Sequence, residues 1–245
     1  LAALEAGPAE AAQAPDLATL PRVGDVSVDG ELSEWQMADA ASLDAGAGRS
    51  ARIAIGYDET HLYAAYEVQD DSPMQNAGAD PTMLFDTGDT CEVMLATDPT
   101  ADPKRTEPAP GDLRLVFSVL QGKPVAVLHE AKVRPGTEKA PRTYTSAVGK
   151  ETLERVVVLD SAKVVVRRAG NNAYMLEAAV PLKAIGFDPQ PGTYVRGDVG
   201  VLFSNRGGSV TVLRAYVNNR DTAIAEDLPT EARLQPDKWA VLEVQ

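Results

Sequence analysis

The chain consists largely of short runs in which apolar and polar residues alternate, and this pattern constrains its fold more than any other feature. In the run 90–95, Cys91 and Val93 fall on one side of an extended strand, whereas Glu92 falls on the other. Similar runs recur along most of the sequence, separated by turn signals rich in Gly, Asn and Asp. A helical period is almost absent. The sequence therefore predicts an all-β protein, an antiparallel β-sandwich.

The first 20 residues differ from the rest, because they are rich in Ala, Glu and Pro and have no sustained apolar period. They are predicted to form a linker or lead-in segment. Pro8, Pro15 and the acidic side chains argue against a signal-peptide core. Since the first residue is Leu1, we expect the chain to be processed or excised from a longer protein. Residues 21–245 are predicted to form one β-sandwich module.

Composition narrows the possible partners. The net charge of −13 argues against binding to nucleic acid or to anionic membrane surfaces, which usually requires a basic patch. Acidic character is compatible with solubility alone or with cation binding. No apolar run is long enough for a membrane span, so no membrane insertion is expected. Cys91 is the single cysteine, so no internal disulfide is possible, and its apolar side of the strand predicts a buried, inert thiol.

The outward side of the 90–95 strand carries the most informative polar residues. Glu92 lies there, and the alternation of the strand 112–120 places Arg114 on the same outward side. This predicted open face is either a platform for a ligand or a solvated surface. In the second case Glu92 and Arg114 would only pair across strands, an interaction worth about 0.2–1 kcal/mol.

Acidic residues concentrate at the predicted turns. Asp70 and Asp71 end one strand, and Asp86 and Asp89 precede another, so these four carboxylates are candidate ligands for a structural calcium ion. The alternative is that they are solvated turn carboxylates. The spacing typical of an EF-hand is absent.

Catalytic signatures are lacking. The chain has two histidines, and it contains no nucleophile-elbow motif, no zinc-protease helix motif and no phosphate-binding loop. Carboxylate pairs suited to glycoside hydrolysis exist, but they do so in any acidic protein. We therefore expect a protein that is not an enzyme, without an organic cofactor.

Five motifs follow one another along the chain. They are Val28-Asp29-Gly30-Glu31-Leu32-Ser33-Glu34-Trp35, residues 57–71 (YDETHLYAAYEVQDD), Gly88-Asp89-Thr90-Cys91-Glu92-Val93, residues 174–182 (YMLEAAVPL) and Trp239. In this order they resemble family 9 carbohydrate-binding modules and their DOMON-like relatives, which are calcium-associated β-sandwiches of exported bacterial proteins. The resemblance implies a non-catalytic module, extracellular or periplasmic, that is linked to or docks on other domains and binds a glycan on one sheet face.

In the sugar-binding members, two tryptophans enclose the sugar, and a glutamate, an arginine and an asparagine supply hydrogen bonds. By this resemblance the three polar roles fall on Glu92, Arg114 and Asn205. This chain has no tryptophan at either of the two corresponding positions. Phe85 and Tyr216 stand near their positions and are the candidate stacking residues.

Two other functions remain open. One is a structural or docking β-sandwich that serves as a spacer without sugar affinity. The other is haem binding, since some DOMON relatives hold a haem between sheet-borne side chains. That function would require axial ligands such as Met94, His61 or His129 to face one pocket.

Overall fold

A computed structural model describes residues 17–222 and 227–245. The predicted lead-in segment therefore lies mostly outside the described residues. Strands dominate, in agreement with the alternating sequence pattern, and the all-β sandwich prediction is confirmed. The strands run, in chain order, β1 (Thr19–Leu20), β2 (Ala41–Gly46), β3 (Arg49–Tyr57), β4 (His61–Gln69), β5 (Thr90–Ala96), β6 (Asp112–Leu120), β7 (Lys123–Glu130), β8 (Arg142–Thr145), β9 (Lys150–Leu153), β10 (Arg155–Val158), β11 (Lys163–Arg168), β12 (Ala173–Pro181), β13 (Tyr194–Ser204), β14 (Thr211–Tyr216) and β15 (Ala240–Val244).

Two sheets form the sandwich. The larger has the order β1-β15-β13-β5-β6-β7-β10, with β14 also paired to β13, and the smaller has the order β11-β12-β4-β3-β2. All pairings in these sheets are antiparallel except the short β1–β15 pair. Thr19 and Leu20, which the sequence assigned to the lead-in segment, already belong to the larger sheet, and Leu20 is fully buried.

The main core lies between the two sheets. It takes the inward residues of each strand, including Cys91, Val93 and Leu95 of β5, all of which are fully buried. The inward orientation predicted for these three side chains is therefore confirmed. Burial raises the pKa of the Cys91 thiol well above its usual value.

A second apolar layer covers the opposite, outward face of the larger sheet. Its outer half comes from the two-stranded hairpin β8–β9 and from two short helices. Tyr144 and Leu153 of the hairpin, Phe85 and Ala232 are all buried there against outward residues of the sheet such as Val127. The larger sheet is thus buried on both faces over much of its area.

The helices are short. One of them, Leu182–Ile185, begins after Pro181 and ends at Gly186, which adopts the left-handed conformation with φ of 59°. Within the described ranges no helix has the length and apolar character needed to cross a membrane. The α-helices are α1 (Leu84–Thr87), α2 (Leu182–Ile185) and α3 (Leu228–Ala232), and 3₁₀ turns occupy Met37–Asp39, Pro81–Met83, Arg220–Thr222 and Pro236–Lys238.

Candidate functional site

Glu92 and Arg114 form an ion pair on the outward face of the larger sheet. Arg114 stands in β6 opposite Met94, two residues along β5 from Glu92, so the two side chains meet diagonally. The guanidinium donates two hydrogen bonds to the carboxylate, from Nε to Oε2 (2.9 Å) and from Nη2 to Oε1 (2.5 Å). This is the bidentate geometry that makes Arg–carboxylate pairs strong.

Tyr216 completes the hydrogen bonding of Glu92, and a glycine makes this possible. The Tyr216 hydroxyl donates to Glu92 Oε2 at 2.6 Å. Gly200 of β13 stands between them in register, paired with Glu92 on one side and Tyr216 on the other. A Cβ atom at Gly200 would lie 2.3 Å from Tyr216 Cδ1, so only glycine lets the phenol ring lie across β13. Burial, followed by the charge of Glu92, raises the pKa of Tyr216 to about 12 and keeps it a donor.

The ion pair is covered from outside by an aromatic cluster. The Arg114 guanidinium lies 4.6 Å from the centroid of the Phe85 ring, a cation–π contact. Phe85 in turn makes edge contacts with Tyr144 (5.4 Å) and His129 (5.7 Å). Burial lowers the pKa of His129 well below 6.5, and the charge of Arg114 lowers it further.

Helix α3 closes the remaining side of the cluster. The backbone carbonyl of Glu231 accepts hydrogen bonds from Arg114 Nη1 (3.0 Å) and from Arg214 Nη2 (3.2 Å). Both arginines are thereby attached to the segment that covers the sheet. Since Arg114 has a charge partner, a ring contact and a backbone acceptor, its burial is compensated.

The predicted open face is therefore wrong, although the predicted side of the strands is right. Glu92 is 0% exposed and Arg114 is 1% exposed, and Phe85 and Tyr216 are also buried. The physical reason is the covering layer of β8–β9, α1 and α3, which removes this face from solvent. The group acts as a polar network inside the protein.

An opening persists at the edge of this cover. A cavity of about 250 Å³ lies there, beside the buried network, and Tyr216 forms part of its wall. It combines two aromatic side chains with carboxylates, cations and amides. Its lining residues are Met94, Asp198, Arg214, Tyr216, Asn219, Asp221, Thr230, Arg233, Gln235, Lys238 and Trp239. We call this space the Trp239 cavity.

Asp198 is the buried carboxylate of the Trp239 cavity. It follows Gly197 on the outward side of β13, and the backbone amides of Val199 and Asn218 donate to its Oδ1 at 2.9 and 3.0 Å. The amide of Asn219 donates to Oδ2 at 2.8 Å. Burial raises the pKa of Asp198 to about 6, against the effect of these hydrogen bonds. The Asp198 carboxylate thus holds the backbone at Asn218 and Asn219, and Asn219 lines the Trp239 cavity.

Cationic side chains of the Trp239 cavity are held by neighbouring acids. Lys238 Nζ lies 2.9 Å from Asp221 Oδ2, and Arg214 Nη1 lies 3.8 Å from Glu231 Oε2. Arg233 Nε lies 3.1 Å from a carboxylate oxygen of Glu151. The cavity therefore presents hydrogen-bond donors and acceptors of both signs, without a large excess of one charge.

Sequence reasoning missed Asp198, Arg214 and Trp239 as site residues. A signal for Asp198 exists, because it is a charged residue inside the apolar run of β13. Trp239 entered only as a motif residue. Its place in the cavity depends on how residues 227–239 fold back over the sheet, which no local pattern indicates.

Asn205 does not join the cluster. It lies in the β13–β14 turn and is exposed, with its side chain bonded to Ser209. It is five residues from Gly200, the strand partner of Glu92, and so about 16 Å further along the strand.

The four carboxylates proposed as metal ligands occupy different environments. Asp70 Oδ1 accepts from Arg49 Nε (2.9 Å) and from the Asp71 amide (2.7 Å) at the end of β4. Asp89 instead accepts the backbone amides of residues 75 and 204, and burial raises its pKa to about 6. Asp86 lies in α1, and the charge of Arg214 acts on its carboxylate.

These positions do not form one ligand set. In residues 17–222 and 227–245 no group of three or more His, Cys, Asp and Glu side chains is arranged to hold a metal. Three side-chain oxygens of consecutive residues are nevertheless buried without a hydrogen-bond partner, namely Asp70 Oδ2, Asp71 Oδ1 and Ser72 Oγ. The proposed haem ligands are also separated: His61 is in the smaller sheet, whereas Met94 and His129 are in the larger one.

A larger cavity, of about 510 Å³, lies beside Trp35. The indole N–H of Trp35 donates to buried Glu177 (2.9 Å), which also accepts the amides of Asp29 and Gly30, so this tryptophan has a structural role. The lining of this cavity begins at Leu17, the first described residue.

Solved structures of other proteins have the same fold. A family 9 carbohydrate-binding module from Caldicellulosiruptor kristjanssonii in complex with glucose is 13% identical, with a TM-score of 0.52 over 93% of this chain and 95% of that one. The same organism's family 9 module in complex with cellotriose is 14% identical, with a TM-score of 0.52 over 93% of each chain.

A third solved structure, a candidate carbohydrate-binding protein from Bacteroides uniformis, is 12% identical, with a TM-score of 0.53 over 95% of this chain and 100% of that one. No protein-family model and no curated sequence matches the chain. The fold is that of a family 9 carbohydrate-binding module, as the sequence motifs predict.

Proposed function

We propose that the protein is a non-catalytic carbohydrate-binding module whose ligand enters the Trp239 cavity. The observation that carries this proposal is the meeting of Trp239 and Tyr216 with Asp198 and Arg214 in one cavity on the outward face of the larger sheet. The fold is shared with modules solved in complex with glucose and with cellotriose, which supports a sugar as the ligand class.

The chemistry of the cavity suits a sugar. A pyranose ring has apolar C–H faces, which pack on aromatic rings, and a rim of hydroxyl groups, each of which needs a hydrogen-bond partner when buried. The cavity borders the Trp239 indole and the Tyr216 phenol, of which 4% and 6% are exposed, for the first, and it offers charged or amide groups for the second. Its volume of about 250 Å³ is below the roughly 300–1,000 Å³ of sites for drug-sized ligands, so it suits a single sugar residue.

The proposed site differs in place from the one implied by the family resemblance. Glu92 and Arg114 do not contact the sugar in this account. Glu92 accepts the hydrogen bond of the Tyr216 hydroxyl, and Arg114 donates to the Glu231 carbonyl of α3, so the pair holds two elements of the cavity wall from the interior of the protein. Their buried pair therefore positions the site from inside.

The carboxylates of the cavity are suited to binding and not to glycoside hydrolysis. Both oxygens of Asp198 already accept backbone hydrogen bonds, and Asp221 is paired with Lys238. A general acid must be free to give its proton to the glycosidic oxygen, and neither group is placed to do so. Incubation with cellotriose should accordingly release no shorter sugar.

Calorimetric titration with glucose tests the proposal, using wild type and Trp239→Leu. Wild type is expected to give saturable heat, and the variant to lose it, because leucine keeps the cavity apolar but removes the ring face. Trp35→Leu is the matched control, since Trp35 lies in the other cavity, and it should bind as wild type does.

Absence of heat with glucose and with cellotriose, in a protein that still unfolds cooperatively, would contradict sugar binding. The alternative function, a spacer or docking β-sandwich, would then hold. Equal binding by wild type and Trp239→Leu would show that sugar binds elsewhere.

A structural calcium ion is proposed at the end of β4. The unpaired buried oxygens of Asp70, Asp71 and Ser72 fit an oxygen-preferring cation, which backbone carbonyls and water would complete. Calcium should raise the melting temperature of wild type and not that of Asp71→Asn. An equal rise in both proteins would contradict this assignment. We also propose that the module works in an extracellular or periplasmic protein, the setting that calcium dependence favours.

A further inference from the structure

A groove lies next to the Trp239 cavity on the same face of the larger sheet. It has a volume of about 380 Å³ and is formed between the loop after β5 and the first residues of β13. Tyr194 and Val241 supply its apolar surface, and both are more than half exposed. The other lining residues are Ala96, Asp98, Pro99, Ala101, Pro103, Arg105, Thr193, Val195 and Arg196.

The exposure of Tyr194 is unusual in this chain. Its side chain is 61% exposed, and among the described residues every other aromatic side chain is buried or half-buried. Tyrosine is enriched at interfaces, because its ring is apolar while its hydroxyl group can contact water or a polar ligand. No core contact of the sandwich requires tyrosine at this position.

Strand β13 links the groove to the cavity. Tyr194, Arg196 and Asp198 alternate along it and therefore share its outward side, with about 13 Å between the first and the third. Arg196 lies between the groove and the Trp239 cavity and is hydrogen-bonded to the wall of each. Its Nε donates to the Pro103 carbonyl (2.8 Å), and its Nη1 donates to the Trp239 carbonyl (2.9 Å).

We infer that the groove is a second sugar subsite, in which Tyr194 stacks a residue of an oligosaccharide whose end occupies the Trp239 cavity. This inference rests on the proposed function and specifies its ligand as a chain of several neutral sugar residues. Because Arg196 already donates to two backbone carbonyls, its side chain stays in place between the two subsites, and the oligosaccharide passes over it. The Asp98 carboxylate at the groove border provides a polar group for sugar hydroxyls. Arg105 has a structural role there, because its three guanidinium nitrogens already donate to Asp112 and to the Asp102 carbonyl.

Chain-length dependence of affinity tests this inference. Wild type is expected to bind a linear glucan oligosaccharide of four or five residues roughly two- to tenfold more tightly than glucose, the gain of one aromatic contact. In Tyr194→Ala this advantage should disappear while glucose affinity is unchanged. Tyr194→Phe, which keeps the ring, should retain it.

The outcomes separate this inference from the proposed function. If glucose binds but the oligosaccharide advantage is absent, or persists in Tyr194→Ala, the second subsite is wrong and the cavity assignment stands. If neither glucose nor the oligosaccharide binds wild type, both are wrong. Val212→Ala, which removes an exposed apolar side chain away from the groove, should behave as wild type in every titration.

Discussion

Removing the Glu92 carboxylate should destabilise this protein strongly. In Glu92→Ala the Arg114 guanidinium, 1% exposed, would lose both of its charged hydrogen bonds, and Tyr216 would lose its acceptor. Breaking a buried ion pair in this way costs about 3–5 kcal/mol. For a chain of this size each kcal/mol lowers the melting temperature by roughly 2–4 °C, so we expect a fall of about 6–20 °C.

Urea unfolding followed by circular dichroism measures this loss, and the chain offers a matched control. Glu67 pairs with Arg52 directly across two strands of the smaller sheet at 3.6 Å, but both side chains are about half exposed. Glu67→Ala should cost under about 1 kcal/mol. If Glu92→Ala cost no more than Glu67→Ala, Glu92 would face solvent and the covered sheet face described above would be wrong.

Three further predictions follow from the same geometry. Gly200→Ala should displace the Tyr216 ring and weaken glucose binding at least tenfold in calorimetry; unchanged affinity would contradict the role of this glycine. Because the folded pKa of His129 lies well below 6.5, only the unfolded chain takes up this proton, so wild type should lose up to about 1.4 kcal/mol per pH unit below 6.5 relative to His129→Gln in urea unfolding; parallel pH profiles would contradict this. Glucose affinity should fall as the pH is lowered through about 6, because protonated Asp198 accepts the backbone amides of residues 218 and 219 less well; a flat titration series would exclude that role.

Alternation along the chain was sufficient to predict the strands and their inward sides. Cys91 and Val93 reach the core as expected, and Glu92 shares its side with Arg114 as expected. These features depend on a local period of two, which each strand carries in its own sequence. The order of five weak motifs was sufficient to predict the fold.

The burial of that outward side was not predictable from the same pattern. It depends on α1 and on residues 131–153 and 227–239, which have no clear period and cover the sheet through contacts between residues distant in sequence. From the local pattern alone, a polar residue on the outward side of a strand is therefore expected to be exposed to solvent, even if a segment later in the sequence buries it. The Trp239 cavity is lined partly by strands of the sheet and partly by residues 227–239 of this cover, so its lining combines residues that no single motif contains.

The signals of the two tryptophan indole N–H groups in a proton–nitrogen NMR spectrum test the central claim most directly. Trp239 lines the proposed sugar cavity and Trp35 lies beside the other cavity, so the chain carries its own internal control. On titration with glucose, the account predicts a saturable shift of the Trp239 signal and an unmoved Trp35 signal. A shift of Trp35 alone, or no shift of either signal at saturating glucose, would contradict a sugar site at Trp239.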